Sequence, residues 1–193
     1  MQLDRFLPVY DFHEVHSVGV ASSPGRVFEA IKEVTPAEMP FVGFLFALRA
    51  LPARLLGRDS LRVGEGRPIL DQALSGGFVL LAEDPGREIV LGTIGQFWSI
   101  RGGPSPVINS VEEFVAFKQP GFAKAAMNFL LMAVPAGVQV RTETRILALD
   151  TQSRKKFARY WRLIYPGSAL IRRMWLRAIE RRVQGVAGTG DDE

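Results

Sequence analysis

Short extended runs separated by turn signals occupy the middle of this chain, and they restrict its fold more than any other feature. The runs cover 62–70, 77–83, 87–98, 112–118, 122–134 and 137–149. Clusters of glycine and proline separate them, as at 76–77, 84–87, 102–104, 119–121 and 135–137. Parallel strands need long crossover connections, and the connections here are too short for them. The pattern therefore predicts an antiparallel meander of hairpins.

Alternation within the last two runs predicts which face of the sheet looks inward. Successive side chains of a strand point to opposite faces, so every second residue shares a face. In 137–149 one face carries Val138, Val140, Thr142, Thr144, Ile146 and Ala148, and the other carries Gln139, Arg141, Glu143 and Arg145. In 122–134 one face carries Ala123, Ala125, Met127, Phe129, Leu131 and Ala133, opposite Lys124 and Asn128. We expect the more apolar sets to face a core.

Another strand and two helices precede the meander. Residues 12–21 are rich in valine and predict a strand, after which Ser23 is an N-cap and Pro24 a first-turn proline. The helix 24–33 has one apolar stripe, which continues to residue 34 and consists of Val27, Ala30, Ile31 and Val34. A second helix over 37–51 is apolar on nearly all sides, so we expect it to be covered on more than one face or to lie beside a cavity or a membrane.

A long helical region follows the meander. Asp150 and Thr151 form a helix start, and the segments 151–164 and 168–183 both carry apolar residues at helical spacing. Pro166 lies between them, so we expect either one kinked helix or two helices end to end. The residues from 185 onward are polar and have no reason to order. The domain is therefore predicted to span 1–184, followed by a disordered tail over 185–193.

Composition limits the classes of protein to which the chain can belong. Its 193 residues are 47% hydrophobic and 23% charged, as expected of one globular domain. Cysteine is absent, which excludes disulfides, thiolate metal sites and cysteine nucleophiles. The first residues do not resemble a secretory signal, and no apolar stretch is both long and uncharged enough to cross a bilayer. A cytoplasmic protein is expected.

The order of the elements and two stretches of sequence resemble the SRPBCC superfamily. HEVHSVGVASSPGRVFEAI is similar to its opening strand and first helix, and TETRILALDTQSRKKFARYWRLIYPGSALIRRMWLRAIERR resembles the last strand and helix of its uncharacterised bacterial members. The resemblance covers roughly residues 10–184. It implies an α+β, helix-grip (START/Bet v 1-like) fold, in which a curved antiparallel sheet of about six to seven strands surrounds a long C-terminal helix, with two short helices after the first strand. Members include lipid-binding domains and polyketide cyclases, so the resemblance implies a ligand cavity but assigns no catalytic residue.

Neither a cofactor nor a metal site is predicted. His13 and His16 are three residues apart, which places them on opposite faces of a strand, so they cannot hold one ion together. Glycines do not form a phosphate-binding or dinucleotide-binding motif, and GxSxG is absent. Glu143 and Arg145 share one strand face, where they are predicted to form a surface ion pair, with a general acid or a carboxylate anchor as the alternative.

A set of inward-facing residues is predicted to line the cavity. Thr142 and Thr144 are its polar members, since their hydroxyls could contact a ligand, with ordinary β-branched packing as the alternative. Aromatic rings and methionine suit a lipid, sterol or polyketide-like guest. The predicted set is Phe44, Leu48, Phe97, Trp98, Met127, Phe129, Leu131, Thr142, Thr144, Phe157, Tyr160 and Trp161.

Two functions are compatible with such a cavity. The first is the binding or carrying of a small hydrophobic ligand, with the helix 37–51 as a lid. The second is an enzyme similar to polyketide cyclases or dehydratases. The second is less favoured, because the sequence does not place a buried ionisable group with confidence and an enzyme in this cavity would need one.

Basic residues in the C-terminal region suggest a possible partner. The formal net charge is +4, and the excess of arginine and lysine is concentrated in 151–184. A solvated helix face is the simplest explanation. The alternative is a transient contact with an anionic membrane through Arg154, Lys155, Arg172, Arg173 and Arg177. Elements that read a groove or stack on bases are not recognisable, so nucleic acid is not a predicted partner.

Overall fold

A computed structural model describes residues 1–39, 66–99 and 106–187 of the chain. The helices are α1 (Leu3–Phe6), α2 (Pro24–Glu33), α3 (Ile69–Ser75), α4 (Val111–Ala116) and α5 (Thr151–Ala187), with a 3-10 turn at Pro36–Glu38. The strands are β1 (Phe12–Val20), β2 (Val79–Asp84), β3 (Glu88–Gly95), β4 (Ala123–Val134) and β5 (Gly137–Ala148).

The strands form one antiparallel sheet in the order β1-β5-β4-β3-β2. The predictions of strands at 12–21, 77–83, 87–98, 122–134 and 137–149 are confirmed within a few residues, as is the antiparallel sense. The sheet has five strands over the described ranges rather than the expected six to seven. Gly137 starts β5 at φ +131°, and a Cβ there would clash with the carbonyl oxygen of Val20, so this turn requires glycine.

The prediction of a strand over 112–118 is wrong, because this segment contains α4. Ser110 caps the helix, with its hydroxyl accepting a hydrogen bond from the backbone N–H of Glu113 at 3.1 Å. The Glu113 carboxylate in turn accepts from the backbone N–H of Asn109 at 2.8 Å. This local bonding satisfies helix-end donors and outweighs the strand preference of the two valines.

The predicted extended run at 62–70 is wrong at its end, where α3 begins at Ile69. Pro68 precedes the helix, and a proline is well tolerated at a helix start because its missing N–H would have no partner there. Residues 62–65 lie outside the described residues. The predicted helix 37–51 also lies outside them beyond Met39, which follows the 3-10 turn.

The C-terminal region forms one helix rather than two helices end to end. Asp150 caps it: the carboxylate accepts from the backbone N–H groups of Gln152 at 2.8 Å and Ser153 at 2.9 Å. Pro166 lies within α5 and is exposed, and it leaves one helical carbonyl without its usual donor. The helix continues three residues past 184, and residues 188–193 lie outside the described chain.

Helices pack on both faces of the sheet. On the inner face, α2 and α5 pack against the sheet around a core that includes Val27, Ile31, Phe129, Trp175 and Ile179. On the outer face, the N-terminal segment and α4 bury a second core that includes Leu3, Leu7, Val90, Phe114 and Phe122. This α+β arrangement, with a long C-terminal helix across an antiparallel sheet, is consistent with a helix-grip fold.

The surface location predicted for Glu143 and Arg145 is wrong. The two side chains do form an ion pair on the outer face, with 2.7 Å between Nε and Oε1, but both are buried. Arg145 also contacts the N-terminal segment, through Asp4 at 2.8 Å and the carbonyl oxygen of Leu7 at 3.1 Å. Residues near the start of the chain thus cover a polar row that local alternation alone would leave in solvent.

Candidate functional site

The inner face of the sheet and α5 form three zones that follow the same order along β1 and along the helix. Aromatic residues occupy the first zone, where Phe12 packs on Phe157. Polar residues occupy the second, where Glu14 meets Ser168. Apolar residues occupy the third, which includes Val18, Val20 and Ile179. The polar middle zone is the candidate site, because polar groups between two apolar zones require a specific reason.

Glu14 is the buried carboxylate of the middle zone. Its side chain points to the inner face, since its partner across the β1–β5 ladder is Thr144. Oε1 lies 2.6 Å from Nε2 of His16, and Oε2 accepts a hydrogen bond from the hydroxyl of Ser168 at 2.8 Å. Both oxygens are therefore engaged by protein groups, which offsets the cost of burying the charge.

Arg172 brings a positive charge into the same zone, one helical turn after Ser168. Its Nη2 donates to the sulfur of Met127 at 3.2 Å, and its guanidinium lies 5.8 Å from the ring centre of Trp175. Burial lowers the pKa of Arg172 to about 10, and the charge of Glu14 partly opposes that shift. The guanidinium still carries its full charge at neutral pH.

Three buried polar atoms of this zone have no hydrogen-bond partner within the described part of the chain. They are Nη1 of Arg172, Oγ1 of Thr142 and Nε1 of Trp175. The residues adjoin one another: Trp175 packs on Phe129 with 4.9 Å between ring centres, and Phe129 is the cross-strand partner of Thr142. Buried polar groups without partners are rare in folded proteins, so a cluster of them is a candidate ligand-contacting surface.

The inner face is incompletely covered beside this cluster. Thr93, Ala125 and Thr144 point to the inner face in the three interior strands, yet each is only half-buried. Their outer-face neighbours Lys124 and Ala126 are buried. Interior strands between two covering layers are normally buried on both faces. The partial exposure therefore indicates that the side chains of the described residues do not fill the inner side at these positions.

The aromatic zone is a packed cluster centred on Phe157. Its ring lies 5.0 to 6.4 Å, centre to centre, from the rings of Phe12, Phe97, Trp98, Tyr160 and Trp161. Phe157 itself is buried, and the other five rings are half-buried. The cluster closes one end of the inner face.

The residues predicted to line a cavity fall into two groups. Met127, Phe129, Leu131, Thr142 and Thr144 share the inner face of β4 and β5. Phe97, Trp98, Phe157, Tyr160 and Trp161 belong to the aromatic zone. The remaining two, Phe44 and Leu48, lie outside the described residues, as does the predicted lid.

Sequence reasoning missed Glu14, His16 and Ser168 as members of the site and placed Arg172 on an exposed face. Simple periodicity contained the signal. Alternation in β1 puts Glu14 and His16 on the same face as Phe12, Val18 and Val20. Helical spacing puts Ser168 and Arg172 on the stripe that runs from Phe157 through Trp161 to Trp175. Arg172 is half-buried, and its Nη1 is fully buried, whereas Arg173 and Arg177 are exposed.

His13 and His16 point to opposite faces, as predicted, because their ladder partners are Arg145 and Thr142. Acidic and histidine side chains do not cluster as a metal site would require in the parts that the structure describes. Among those parts, no helix is both long and apolar enough to span a bilayer. A shallow groove between α1 and α4 lies on the outer face and shares no residue with the predicted cavity.

Comparison with known proteins gives weak likenesses. No family model matches the sequence, and no curated protein matches it significantly. A structure from Mesorhizobium loti is 14% identical with a TM-score of 0.39, over 88% of this chain and 98% of that one. One from Rhizobium leguminosarum is 14% identical with a TM-score of 0.40, over 88% and 95%. Ara h 8.0201 is 11% identical with a TM-score of 0.33, over 90% and 98%.

Proposed function

We propose that this protein binds or carries a small hydrophobic molecule between the inner face of the sheet and α5. The observation that carries the proposal is the partial exposure of Thr93, Ala125 and Thr144 in the interior strands. Sheet positions covered by a helix layer are expected to be buried unless space remains between the layers. Met127 and Phe129 border these positions and offer the apolar surface that such a ligand requires.

The resemblance to the SRPBCC superfamily supports the same proposal. Its members hold ligands between a curved sheet and a C-terminal helix, which is the interval where the half-buried positions lie. The residues 37–51 are proposed to act as a lid over this interval, on the basis of their apolar sequence. The ligand class is a lipid, a sterol or a polyketide-like compound.

Native mass spectrometry of the purified protein, before and after extraction with organic solvent, tests the proposal. The expected result is a stoichiometric adduct that extraction removes. Ala125→Leu fills the inner face and should diminish the adduct, whereas Ala133→Leu, at an exposed position farther along the same strand, should not. A protein that remains free of adduct when incubated with lipid, sterol and polyketide extracts would contradict the proposal.

An enzyme acting in the same interval is the second candidate, and Glu14 is the observation that favours it. The Glu14–His16 pair is a buried ionisable group of the kind that acid–base catalysis needs. Binding remains the preferred function, because both oxygens of Glu14 are engaged by protein groups. Turnover of an aromatic polyketide by the wild type, lost in Glu14→Gln with the ligand still bound, would favour the enzyme.

We also propose that the exposed side of α5 makes transient contact with anionic membranes. Lys155, Arg173 and Arg177 are exposed there, and Arg154 is exposed but pairs with Asp11 at 3.0 Å. Exposed apolar residues lie along the same helix, with Leu163 at 80% and Leu170 at 46% exposure. Basic groups that flank apolar side chains suit the headgroup region of a bilayer.

A further inference from the structure

The unpartnered polar atoms of the middle zone define the chemistry of the group they would bind. A guanidinium and an indole N–H can only donate hydrogen bonds, and a hydroxyl can donate as well as accept. Nη1 of Arg172, Nε1 of Trp175 and Oγ1 of Thr142 thus form a set of donors. Such a set is complementary to a group that presents acceptor oxygens.

The charge of Arg172 is not neutralised by a direct ion pair within the described chain. Glu14 is the nearby carboxylate, but its oxygens are taken by His16 and Ser168, and it forms no contact with Arg172 within the 4.0 Å of an ion pair. The acceptor that Arg172 does contact is the sulfur of Met127, which accepts weakly. A cation with a fully buried Nη1 and so little compensation favours an anionic ligand group.

The surroundings favour a carboxylate among the possible anions. One guanidinium offers a planar pair of donors, which matches the two oxygens of a carboxylate. A doubly charged phosphate would need more donors and would lie close to the negative charge of Glu14, which already interacts with Arg172. Met127, Phe129 and Trp175 are apolar and buried, so the rest of the ligand is expected to be apolar too.

We propose that the bound molecule is an apolar carboxylic acid whose carboxylate contacts Arg172, Thr142 and Trp175. Its apolar part extends from Met127 along the half-buried positions Ala125 and Thr93. This inference rests on the proposed function, because it names the ligand class for the same interval. It adds a specificity for the headgroup that neither the resemblance nor the comparisons supply.

Calorimetric titration of solvent-extracted protein at pH 7.5 with decanoate and with decan-1-ol tests this proposal, since the two probes differ in the headgroup alone. The wild type should bind decanoate about tenfold more tightly or better, because hydrogen bonds to charged groups are the strong ones. Arg172→Met should lose this preference and still bind decan-1-ol. Arg162→Met, at an exposed position of the same helix, should retain it.

Equal affinity of the wild type for the two probes would overturn the carboxylate specificity and leave the proposed function in place. Retention of the preference in Arg172→Met would overturn the role of Arg172. Failure of the wild type to bind either probe would overturn the inference, and the native mass spectrum then decides separately whether another apolar molecule is bound. The comparison of the two probes on the wild type does not depend on how any variant folds.

Discussion

Arg172 and Met127 are in direct contact, with 3.2 Å between Nη2 and Sδ, so that the guanidinium of a half-buried arginine uses a thioether as its hydrogen-bond acceptor. Thioether sulfur accepts weakly, and the charge therefore stays poorly compensated. Burial lowers the pKa of Arg172 to about 10, which means that folding disfavours its charged form. We therefore expect Arg172 to lower the stability of the fold when no ligand is bound.

Replacement of Arg172 by methionine should therefore stabilise the protein. We expect the free energy of unfolding at pH 7 to rise by roughly 1 to 3 kcal/mol, because an apolar side chain of similar length removes a buried charge. The free-energy cost of burying the Arg172 charge is fully present below the folded-state pKa of about 10 and is relieved as the pH rises above it. The stability difference between Arg172→Met and the wild type should therefore shrink above pH 10. Urea denaturation at pH 7 and above pH 10 measures both effects.

Arg173→Met is the control for this variant, because Arg173 is exposed on the next position of α5. A surface change of this kind should alter the free energy of unfolding by about 0.5 kcal/mol or less. If Arg172→Met instead lowered stability by more than the control, Arg172 would be a structural residue rather than one retained for a ligand.

Arg145 should behave in the opposite way. It is buried and well compensated, with contacts to Glu143, Asp4 and the carbonyl oxygen of Leu7. Arg145→Met removes the contacts to Glu143 and Asp4 but leaves Glu143 paired with Arg141 at 2.8 Å, so it should lower the free energy of unfolding by about 1 to 3 kcal/mol. It should also speed amide hydrogen exchange in residues 2–7, since the N-terminal segment loses its attachment.

The Arg154–Asp11 pair provides the matched comparison for Arg145. Arg154 is 63% exposed, and Nε lies 3.0 Å from Asp11. Surface ion pairs contribute about 1 kcal/mol or less, so Arg154→Met should change stability little and leave exchange in residues 2–7 unaltered. An equal decrease in the free energy of unfolding in Arg145→Met and Arg154→Met would contradict the view that burial makes the Arg145 contacts strong.

Local patterns were sufficient to predict most of the sheet. Alternation in β4 and β5 places Met127, Phe129 and Thr142 on one face, because the two-residue period of a strand is a geometric property of the backbone. The start of α5 could also be predicted from local sequence, because Asp150 caps the helix that begins at the next residue.

Contacts between distant parts of the chain were not predictable in this way. The burial of Glu143 depends on residues 1–10 crossing the outer face, and no local feature of either segment encodes that crossing. The helix α4 was missed for a different reason: the valines at its ends favoured a strand, and the bond between Ser110 and the N–H of Glu113 was not weighed against them.

The sequence pattern contains a signal for the polar part of the candidate site. Glu14 and Arg172 lie on otherwise apolar faces of β1 and α5. An ionisable residue at such a position is a candidate member of a functional site, because burying a charge is costly. Their proximity to each other could not be deduced, because it depends on how the helix is placed along the sheet.

Asp150 should make stability depend on pH in the acid range. Hydrogen bonds from Ser153, Gly121 and Gln152 lower its pKa from 3.8 to about 2. A carboxylate whose pKa is lower in the folded state contributes stability above the unfolded value, and this contribution is lost as the pH falls through the folded value. The stability difference between the wild type and Asp150→Asn should thus be about 1 kcal/mol at pH 7, after allowance for solvent screening, and should vanish as the pH falls from 4 to 2.

Asp71→Asn is the control for Asp150→Asn, because it removes one negative charge at an exposed position of α3. Denaturation across the acid range should show no comparable convergence for this variant. A constant difference between the wild type and Asp150→Asn from pH 7 to pH 2 would show that the capping bonds do not depend on the charge.

Charge on the exposed side of α5 should govern association with membranes. Arg173 and Arg177 are both exposed and lie four residues apart, so they share one side of the helix. Each basic group near an anionic surface contributes about 1 kcal/mol, so Arg173→Glu with Arg177→Glu should weaken binding to phosphatidylserine vesicles by roughly 30-fold or more. Liposome flotation measures the bound fraction, which should also fall for the wild type in about 0.5 M salt as ions screen the attraction.

The matched control reverses the charge of two basic residues that do not lie on α5. Arg26→Glu with Lys118→Glu makes the same change in net charge at exposed positions on α2 and after α4. If attraction depended on the net charge alone, the two double variants would lose binding equally. Electrostatic attraction decreases over about 8 to 10 Å at moderate salt, so it depends on which face of the protein approaches the bilayer. A larger loss of vesicle binding for the α5 variant would therefore locate the contact on that helix.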